Sequence, residues 1–263
     1  MEQLETRAVP AAITVSTTAD DPNVPIQGQV TLRDAINQMN KSDDPTNTIS
    51  FAANVVGNLQ LQAALPALSK NITIDGPGMA ALDVLGSGPD APTLYNVFTV
   101  MPNTTCKIDN ISIAEGDGDF GGGIYNMGDL TLLDVSISDC SVTSGGGGIF
   151  NFRSGQLTMT STFVQSNFAV HTGGGIENEG QLQVFAGSRI EGNSAGQGGG
   201  LFNAGATTIK GNSLINTNYA SSGGGVYMST GTVAMTGGSI SNNSAVGGNG
   251  GGLYVNAGKL TLT

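Results

Sequence analysis

The chain has 263 residues and a formal net charge of −11, with 41 glycines, 38% hydrophobic residues and only 11% charged residues. Its length fits one large domain or two small ones, and its composition excludes a disordered chain and, without a strict Gly-X-Y period, collagen. Lys and Arg number only 9, so no basic patch is available and we expect no nucleic-acid partner.

Residues 1–47 predict one strand followed by the only helix. "AAITVSTT" alternates as a strand does, and "TLRDAINQMNKS" has helical periodicity, with Thr31 and Asp34 spaced like a capping box. The apolar positions at i, i+3, i+4 and i+7 of this helix are Leu32, Ala35, Ile36 and Met39. Since the open end of a stack of strands recruits other chains, we expect the helix to cap that end.

Residues 48–263 predict one continuous solenoid. "TISF", "LQLQ" and "NITIDGPG" look like first, less regular coils. From residue 121 onward, a Gly-Gly-Gly-aliphatic element recurs every 25 to 27 residues, ending at Ile124, Ile149, Ile176, Leu201, Val226 and Leu253. One such unit cannot bury an apolar side by itself, but stacked units can. The sequence therefore predicts an all-β fold, a parallel β-helix in the form of a three-sided β-solenoid.

A second repeated element is aliphatic-x-x-Asn. Its asparagines are Asn167, Asn193, Asn218 and Asn243, and Cys140 takes the same column one coil earlier. The side chain of an asparagine at a corner can hydrogen-bond to the backbone of the turn and stack with its equivalents into an amide ladder. We therefore expect a structural ladder here. Cys106 and Cys140 match no metal spacing, and we expect two buried thiols rather than a disulfide.

An aromatic stripe follows the glycines and is interrupted once by an acid. Its members are Tyr125, Phe150, Glu177, Phe202, Tyr227 and Tyr254. The rings either face outward, as a platform for sugar or protein, or pack into corners; alternation with the aliphatic residues favours the outward interpretation. Glu177 is either an acid in a carbohydrate groove or a surface substitution beside an exposed Glu179–Arg153 pair. The second interpretation is favoured.

The turn "AEGDGDFGGG" places three alternating acids, Glu115, Asp117 and Asp119, in a glycine-rich segment. Such carboxylates are candidate Ca²⁺ ligands, but the full calcium-loop signature is missing, which favours an acidic turn without metal. His171 is the only histidine, and its place before glycines indicates a solvated turn residue. We expect no cofactor.

"VTLRDAI" at residues 30–36 resembles the Cys-Ser-Leu-Arg-Glu-Ala-Ile motif of bacterial secreted β-helix proteins, with Val30, Thr31 and Asp34 in place of Cys, Ser and Glu. "NITIDGPG" looks like the coil that follows the motif in those proteins. The units from Gly121 onward resemble the Gly-Gly-Ala-Ile and Phe-x-x-Asn repeats of polymorphic outer-membrane proteins and related adhesins, with Val or Ile in place of Phe. The resemblance covers about residues 12–263. It implies a right-handed β-helix that is extracellular or displayed on the bacterial cell surface.

Two hypotheses of function follow. The first is a structural or adhesive surface protein, and the alternative is a polysaccharide-binding or polysaccharide-degrading β-helix like pectate lyases and many glycosidases; fold alone does not choose between them. A glycosidase needs two carboxylates close together, whereas the acids of the repeats fall in different columns or on separate coils. The first hypothesis is therefore favoured, and we expect no enzymatic activity.

The two ends of the sequence bear on partners and localisation. "MEQLETRAVPAA" has no apolar signal-peptide core, and no apolar run reaches membrane-spanning length. The end, "GKLTLT", has the alternation of a strand with no capping element. Truncation of a longer solenoid is the favoured explanation; the other is completion of the uncapped end by another chain, which would propagate head to tail as a filament. The expected partners are thus the protein itself, surface glycans or a host protein.

Overall fold

In the computed structural model, which describes residues 11–87 and 93–263, the chain is an all-β parallel solenoid of about eight turns with about 3% helix. Each strand pairs in parallel with the equivalent strand of a neighbouring coil, for example Ile149 with Ile176. The predicted fold class is confirmed. From Ile149 onward, each complete coil contributes four short strands.

The strands, numbered in chain order, form three sheets within the described residues. The first sector of the sixteen-stranded sheet consists of β1 (Ala11–Val15), β2 (Asn47–Phe51), β4 (Ile72–Asp75), β7 (Thr105–Ala114), β9 (Asp129–Ser138), β12 (Gln156–Thr160), β16 (Gln181–Phe185), β20 (Ala206–Lys210), β24 (Thr232–Thr236) and β28 (Lys259–Leu262). Its second sector, which β7 and β9 also enter, consists of β3 (Gly57–Gln60), β5 (Leu82–Leu85), β13 (Phe163–Gln165), β17 (Arg189–Glu191), β21 (Leu214–Asn216) and β25 (Ser239–Ser241).

The other two sheets complete the cross-section. The seven-stranded sheet consists of β6 (Phe98–Val100), β8 (Ile124–Asn126), β11 (Ile149–Asn151), β15 (Ile176–Asn178), β19 (Leu201–Asn203), β23 (Val226–Met228) and β27 (Leu253–Val255). The five-stranded sheet consists of β10 (Ser141–Val142), β14 (Phe168–Thr172), β18 (Ser194–Gln197), β22 (Tyr219–Ser222) and β26 (Ser244–Ala245).

The core is a set of aliphatic ladders that run along the solenoid. One ladder, each member in register with the next, is Ile49, Ile74, Ile108, Leu132, Met159, Val184, Ile209 and Met235. These side chains are at most 8% exposed. Fully burying an aliphatic side chain stabilises the fold by about 1.5–3 kcal/mol, so stacking provides the core that a single coil lacks.

Left-handed backbone makes the corners. The residue before the asparagine column has φ between 53° and 66° in successive coils: Glu115, Asp139, Ser166, Gly192, Thr217 and Asn242. At the next corner, Gly173 has φ +60°, and a Cβ on Gly174 would lie 2.4 Å from the carbonyl oxygen of Ser194. The glycine triplets are therefore required by positive φ at the first glycine and by close backbone approach at the second.

The helix α1 (Leu32–Met39) closes the N-terminal end of the core. Thr31 and Asp34 form the predicted capping box, with Asp34 N–H donating to Thr31 Oγ1 at 3.0 Å. The four apolar residues predicted for its inner face are at most 1% exposed, and the helix packs on β1 and β2. β1 is itself the first rung of the solenoid, paired in parallel with β2.

Arg33 anchors this cap from a buried position. Its guanidinium donates to both carboxylate oxygens of Asp20, at 2.8 and 2.7 Å, and to the carbonyl oxygens of Ala63 and Ala64 at 2.7 and 2.5 Å. The side chains of Arg33 and Asp20 are 10% and 1% exposed. The helix is thereby tied to the segment that follows β3.

Candidate binding surfaces

The predicted asparagine column is a hydrogen-bonded ladder at the corner before the five-stranded sheet. The side-chain amide of each residue donates to the next, from Asn167 to Asn193, Asn193 to Asn218 and Asn218 to Asn243, at 3.0 Å each. Each amide also donates to a carbonyl, as Asn193 does to Val164 at 2.9 Å. Three of the four residues are at most 1% exposed, so the ladder faces the interior and offers no ligand site.

A second amide ladder, which the sequence reasoning missed, lies beneath the seven-stranded sheet. Its members are Asn126, Asn151, Asn178 and Asn203, linked by Nδ2–Oδ1 distances of 2.8 to 2.9 Å and all 0% exposed. The ladder ends at Met228, the next residue in register. The signal was present in the sequence, because the same Ile/Leu-x-Asn triplet recurs after the glycines of four successive coils.

The aromatic stripe lies on the outer side of the seven-stranded sheet. Along each strand, the stripe residue follows an inward aliphatic residue and precedes the position of the second ladder. Tyr125 and Phe150 are stacked with ring centroids 5.3 Å apart, and Phe202 and Tyr227 with centroids 5.4 Å apart, each pair within 8° of parallel. Tyr254 continues the second stack. The rings cover one another and are half-buried to buried. Whether the stripe contacts a ligand stays a prediction.

Glu177 divides the stripe into two stacks. It is 7% exposed, and its Oε2 accepts a hydrogen bond from Thr172 Oγ1 at 2.7 Å. Burial raises the pKa of Glu177 to about 7, the Thr172 hydrogen bond lowers it, and the nearby Glu179 charge raises it. A Cβ on Gly145 would lie 1.7 Å from Oε2, so only glycine leaves room for this carboxyl. The interpretation of Glu177 as a surface substitution is wrong, because the side chain is buried against Gly145 and Thr172.

Glu179 and Arg153 form the ion pair expected between neighbouring coils. Arg153 Nε donates to Glu179 Oε2 at 3.1 Å, with the arginine side chain 78% exposed. A pair this exposed contributes little to stability. It does place a cation beside Glu179, the acid whose charge raises the pKa of Glu177.

The three acids of the glycine-rich turn do not face one another as a set. Glu115 is an exposed corner residue with φ +57°, Asp117 is 7% exposed, and Asp119 is exposed. Burial raises the pKa of Asp117. In the part of the chain that the structure describes, no group of three or more His, Cys, Asp or Glu residues is placed to hold a metal ion.

The cysteines are free thiols in the interior, as expected. Cys106 and Cys140 are 2% and 1% exposed. Burial raises the pKa of Cys140 to about 12, which keeps it protonated and unreactive. His171, by contrast, is exposed as predicted, but it lies within strand β14 and not in a turn.

Three exposed apolar side chains lie on the outer face of the five-stranded sheet. Phe168, Val170 and Tyr219 are 45%, 47% and 47% exposed. Phe168 and Tyr219 stand in one outward column with serines at alternate rungs, in the order Ser141, Phe168, Ser194, Tyr219 and Ser244. We call the face formed by Phe168, Val170 and Tyr219 the outer platform. Sequence reasoning missed it, although the residue after the asparagine column reads Phe, Ser, Tyr, Ser in successive coils.

No family model matches this chain, and no curated protein or solved structure matches it either. Among the described residues, no helix has the length and apolar character needed to span a membrane.

Proposed function

We propose that this chain is a structural or adhesive extracellular solenoid that contacts other surfaces through its outer platform and does not cleave polysaccharide. The observation that supports the proposal is the exposure of Phe168, Val170 and Tyr219 on one rigid face. Exposed aromatic and apolar side chains grouped on one face are typical of contact surfaces.

The backing of the platform supports this role. Under the exposed rings, Ala169, Ala195 and Ala220 point inward and are at most 7% exposed, so the sheet is anchored. The five strands contain no Asp, Glu, Lys or Arg. A rigid face holds its side chains in place before contact and therefore loses little conformational entropy when it binds. The absence of charge suits neutral partner surfaces.

The placement of the carboxylates in the repeats supports a non-enzymatic role. Asp134 and Asp139 occupy left-handed corner positions. Glu179 is paired with Arg153, and Glu177 is buried between the two aromatic stacks. A glycosidase needs two accessible carboxyl groups roughly 5–9.5 Å apart across a groove. These acids instead occupy corner positions, are buried or pair with a cation.

A quartz-crystal microbalance tests adhesion on surfaces coated with neutral polysaccharide or with protein. The double variant Phe168→Ser/Tyr219→Ser is matched to the fold, because serine occupies the same column on neighbouring coils. We expect it to lose most of the adhesion of the wild-type chain while keeping its melting temperature. Val56→Ser is the control, since Val56 is 52% exposed away from the platform. Equal adhesion by all three proteins would contradict the proposal.

Polysaccharide cleavage is the second candidate, and the raised pKa of Glu177 favours it, because a general acid needs a pKa near the working pH. A reducing-end assay on neutral and acidic polysaccharides separates the two candidates. Turnover by the wild type that is lost in Glu177→Gln would establish an enzyme. We expect no turnover from either protein.

A further inference from the structure

The aromatic stripe stops at Tyr125. One face of its ring has no aromatic ring in register on the neighbouring coil. On one side Tyr125 stacks on Phe150. On the other side its register partner on the preceding coil is Thr99, which carries a hydroxyl and a methyl group instead of a ring. The next position of the stack, about 4.8 Å along the solenoid, is therefore left without an aromatic side chain from this column.

A cleft lies at this position. It has a volume of about 420 Å³, and its walls include Tyr95, Asn96, Thr99, Asp119, Phe120 and Tyr125. That volume is within the ordinary range of small-ligand sites, about 300–1,000 Å³. Phe120 is 40% exposed, and its ring packs against Phe150 with centroids 4.9 Å apart, so two aromatic walls belong to one rigid cluster.

The polar groups of the cleft are few and are fixed in place. The Asn96 amide donates to the carbonyl oxygens of Phe120 and Gly121, the latter at 2.6 Å, and holds the Phe120 turn against the cleft. Tyr95 donates its hydroxyl proton to the Leu61 carbonyl at 3.1 Å. Two further polar groups lie at the wall of the cleft. The exposed Asp119 carboxylate can accept hydrogen bonds, and the Thr99 hydroxyl can both donate and accept them.

We propose that this cleft binds one ring of a neutral saccharide, stacked on the free face of Tyr125 in the position that Phe150 takes on the other side. The apolar face of a pyranose suits an aromatic wall, and its hydroxyl groups suit Asp119 and Thr99. The Asp119 charge and the net charge of −11 disfavour anionic sugars and phosphorylated ligands. This site is separate from the outer platform and goes beyond the adhesive role proposed above.

Isothermal titration calorimetry with soluble oligosaccharides tests the site without the platform assay. The probes are cellotriose, maltotriose, mannotriose and N-acetylchitotriose, with trigalacturonic acid as the anionic control and tryptophan amide as an aromatic control. We expect at least one neutral trisaccharide to bind, and Tyr125→Thr to weaken that binding about tenfold or more because the stacking wall is lost. Asp119→Asn is expected to weaken it several-fold.

Two variants separate a binding site from a folding defect. Thr99→Phe extends the ring column into the cleft, so we expect lost binding together with an unchanged or raised melting temperature. Tyr254→Thr removes a ring at the other end of the stripe and is expected to bind like the wild type. The proposal is overturned if no neutral probe binds up to about 10 mM. It is also overturned if Thr99→Phe or Tyr125→Thr binds like the wild type, or if a control ligand binds more tightly than every neutral sugar.

Discussion

At the scale of single residues, Glu177 couples the stability of the fold to pH. Its carboxyl group is buried between the two aromatic stacks, so the folded chain favours the protonated form, and its pKa is raised from 4.5 to about 7. Below pH 4.5 the group is protonated in both the folded and the unfolded chain. As the pH rises towards 7, the unfolded chain releases the proton first, and the free energy of unfolding falls.

We therefore expect Glu177→Gln to be more stable than the wild type above about pH 7, by up to about 3 kcal/mol, and to match it near pH 4. Urea titrations at both pH values measure the difference. Glu191→Gln is the control, because this half-buried glutamate lies on β17, away from the aromatic stripe, and its charge is not among those that act on Glu177. An equal effect of Glu177→Gln at both pH values would show that packing, not ionisation, is responsible.

Asn193 illustrates the buried amide ladders. Its Oδ1 accepts from the Asn167 backbone N–H at 2.9 Å, and its Nδ2 donates to the Val164 carbonyl at 2.9 Å. Asn193→Leu leaves both backbone groups without partners in the interior, so we expect a loss of about 1–3 kcal/mol in the free energy of unfolding. Asn243→Leu, at the half-buried end of the ladder, should cost less. Equal melting temperatures for Asn193→Leu and the wild type would contradict a structural role.

At the scale of elements, the N-terminal cap depends on a buried ion pair. Asp20 has a side chain that is 1% exposed, and it also accepts from the Gln62 N–H at 2.9 Å. Arg33→Leu leaves this carboxylate buried and unpaired, which is expected to cost about 3–5 kcal/mol. Adding Asp20→Asn should recover part of that loss, as thermal melts of the single and double variants would show. If the double variant is less stable than Arg33→Leu, the carboxylate is held by groups other than Arg33.

Elements were predictable wherever local pattern and packing agree. The periodicity of Leu32 to Met39 and the Thr31–Asp34 spacing gave the helix, because these are local signals. The long strands β7 and β9 were not anticipated, since Asn110 and Asp134 turn the corner inside each strand with φ +54° and +52°. A polar residue in the middle of an alternating run looks like an end in a sequence, but left-handed backbone lets the strand continue around the corner.

The candidate sites were harder to predict than the fold. The Glu177 column was identified, but its burial depends on Gly145 of the neighbouring coil, which sequence spacing does not reveal. The cleft at Tyr125 depends on Thr99, which belongs to a coil outside the regular glycine repeat, so its register was not visible. The outer platform was visible as a column of alternating aromatic residues and serines, yet only its exposure distinguishes it from the buried columns.

At the scale of the whole molecule, the register in which the coils stack determines the position of every surface described above. The ladders, the aromatic stripe, the outer platform and the cleft each consist of residues from different coils brought into one column. A slip of one residue in a strand would exchange its inner and outer side chains. End-to-end association of the solenoid stays a prediction.

The most direct test of this register is a distance between two spin labels on one outward column. Thr131 and Thr261 lie five rungs apart on one outward column and are connected through Thr158, Gln183, Thr208 and Ala234. Five steps of about 4.8 Å place their Cα atoms about 24 Å apart. Cysteine substitutions at both ends allow double electron–electron resonance, while the native thiols are buried and protected from labelling. We expect one narrow distance distribution near that value, allowing for the length of the labels. A broad distribution, or one centred far from it, would contradict the stacked register and the surfaces built on it.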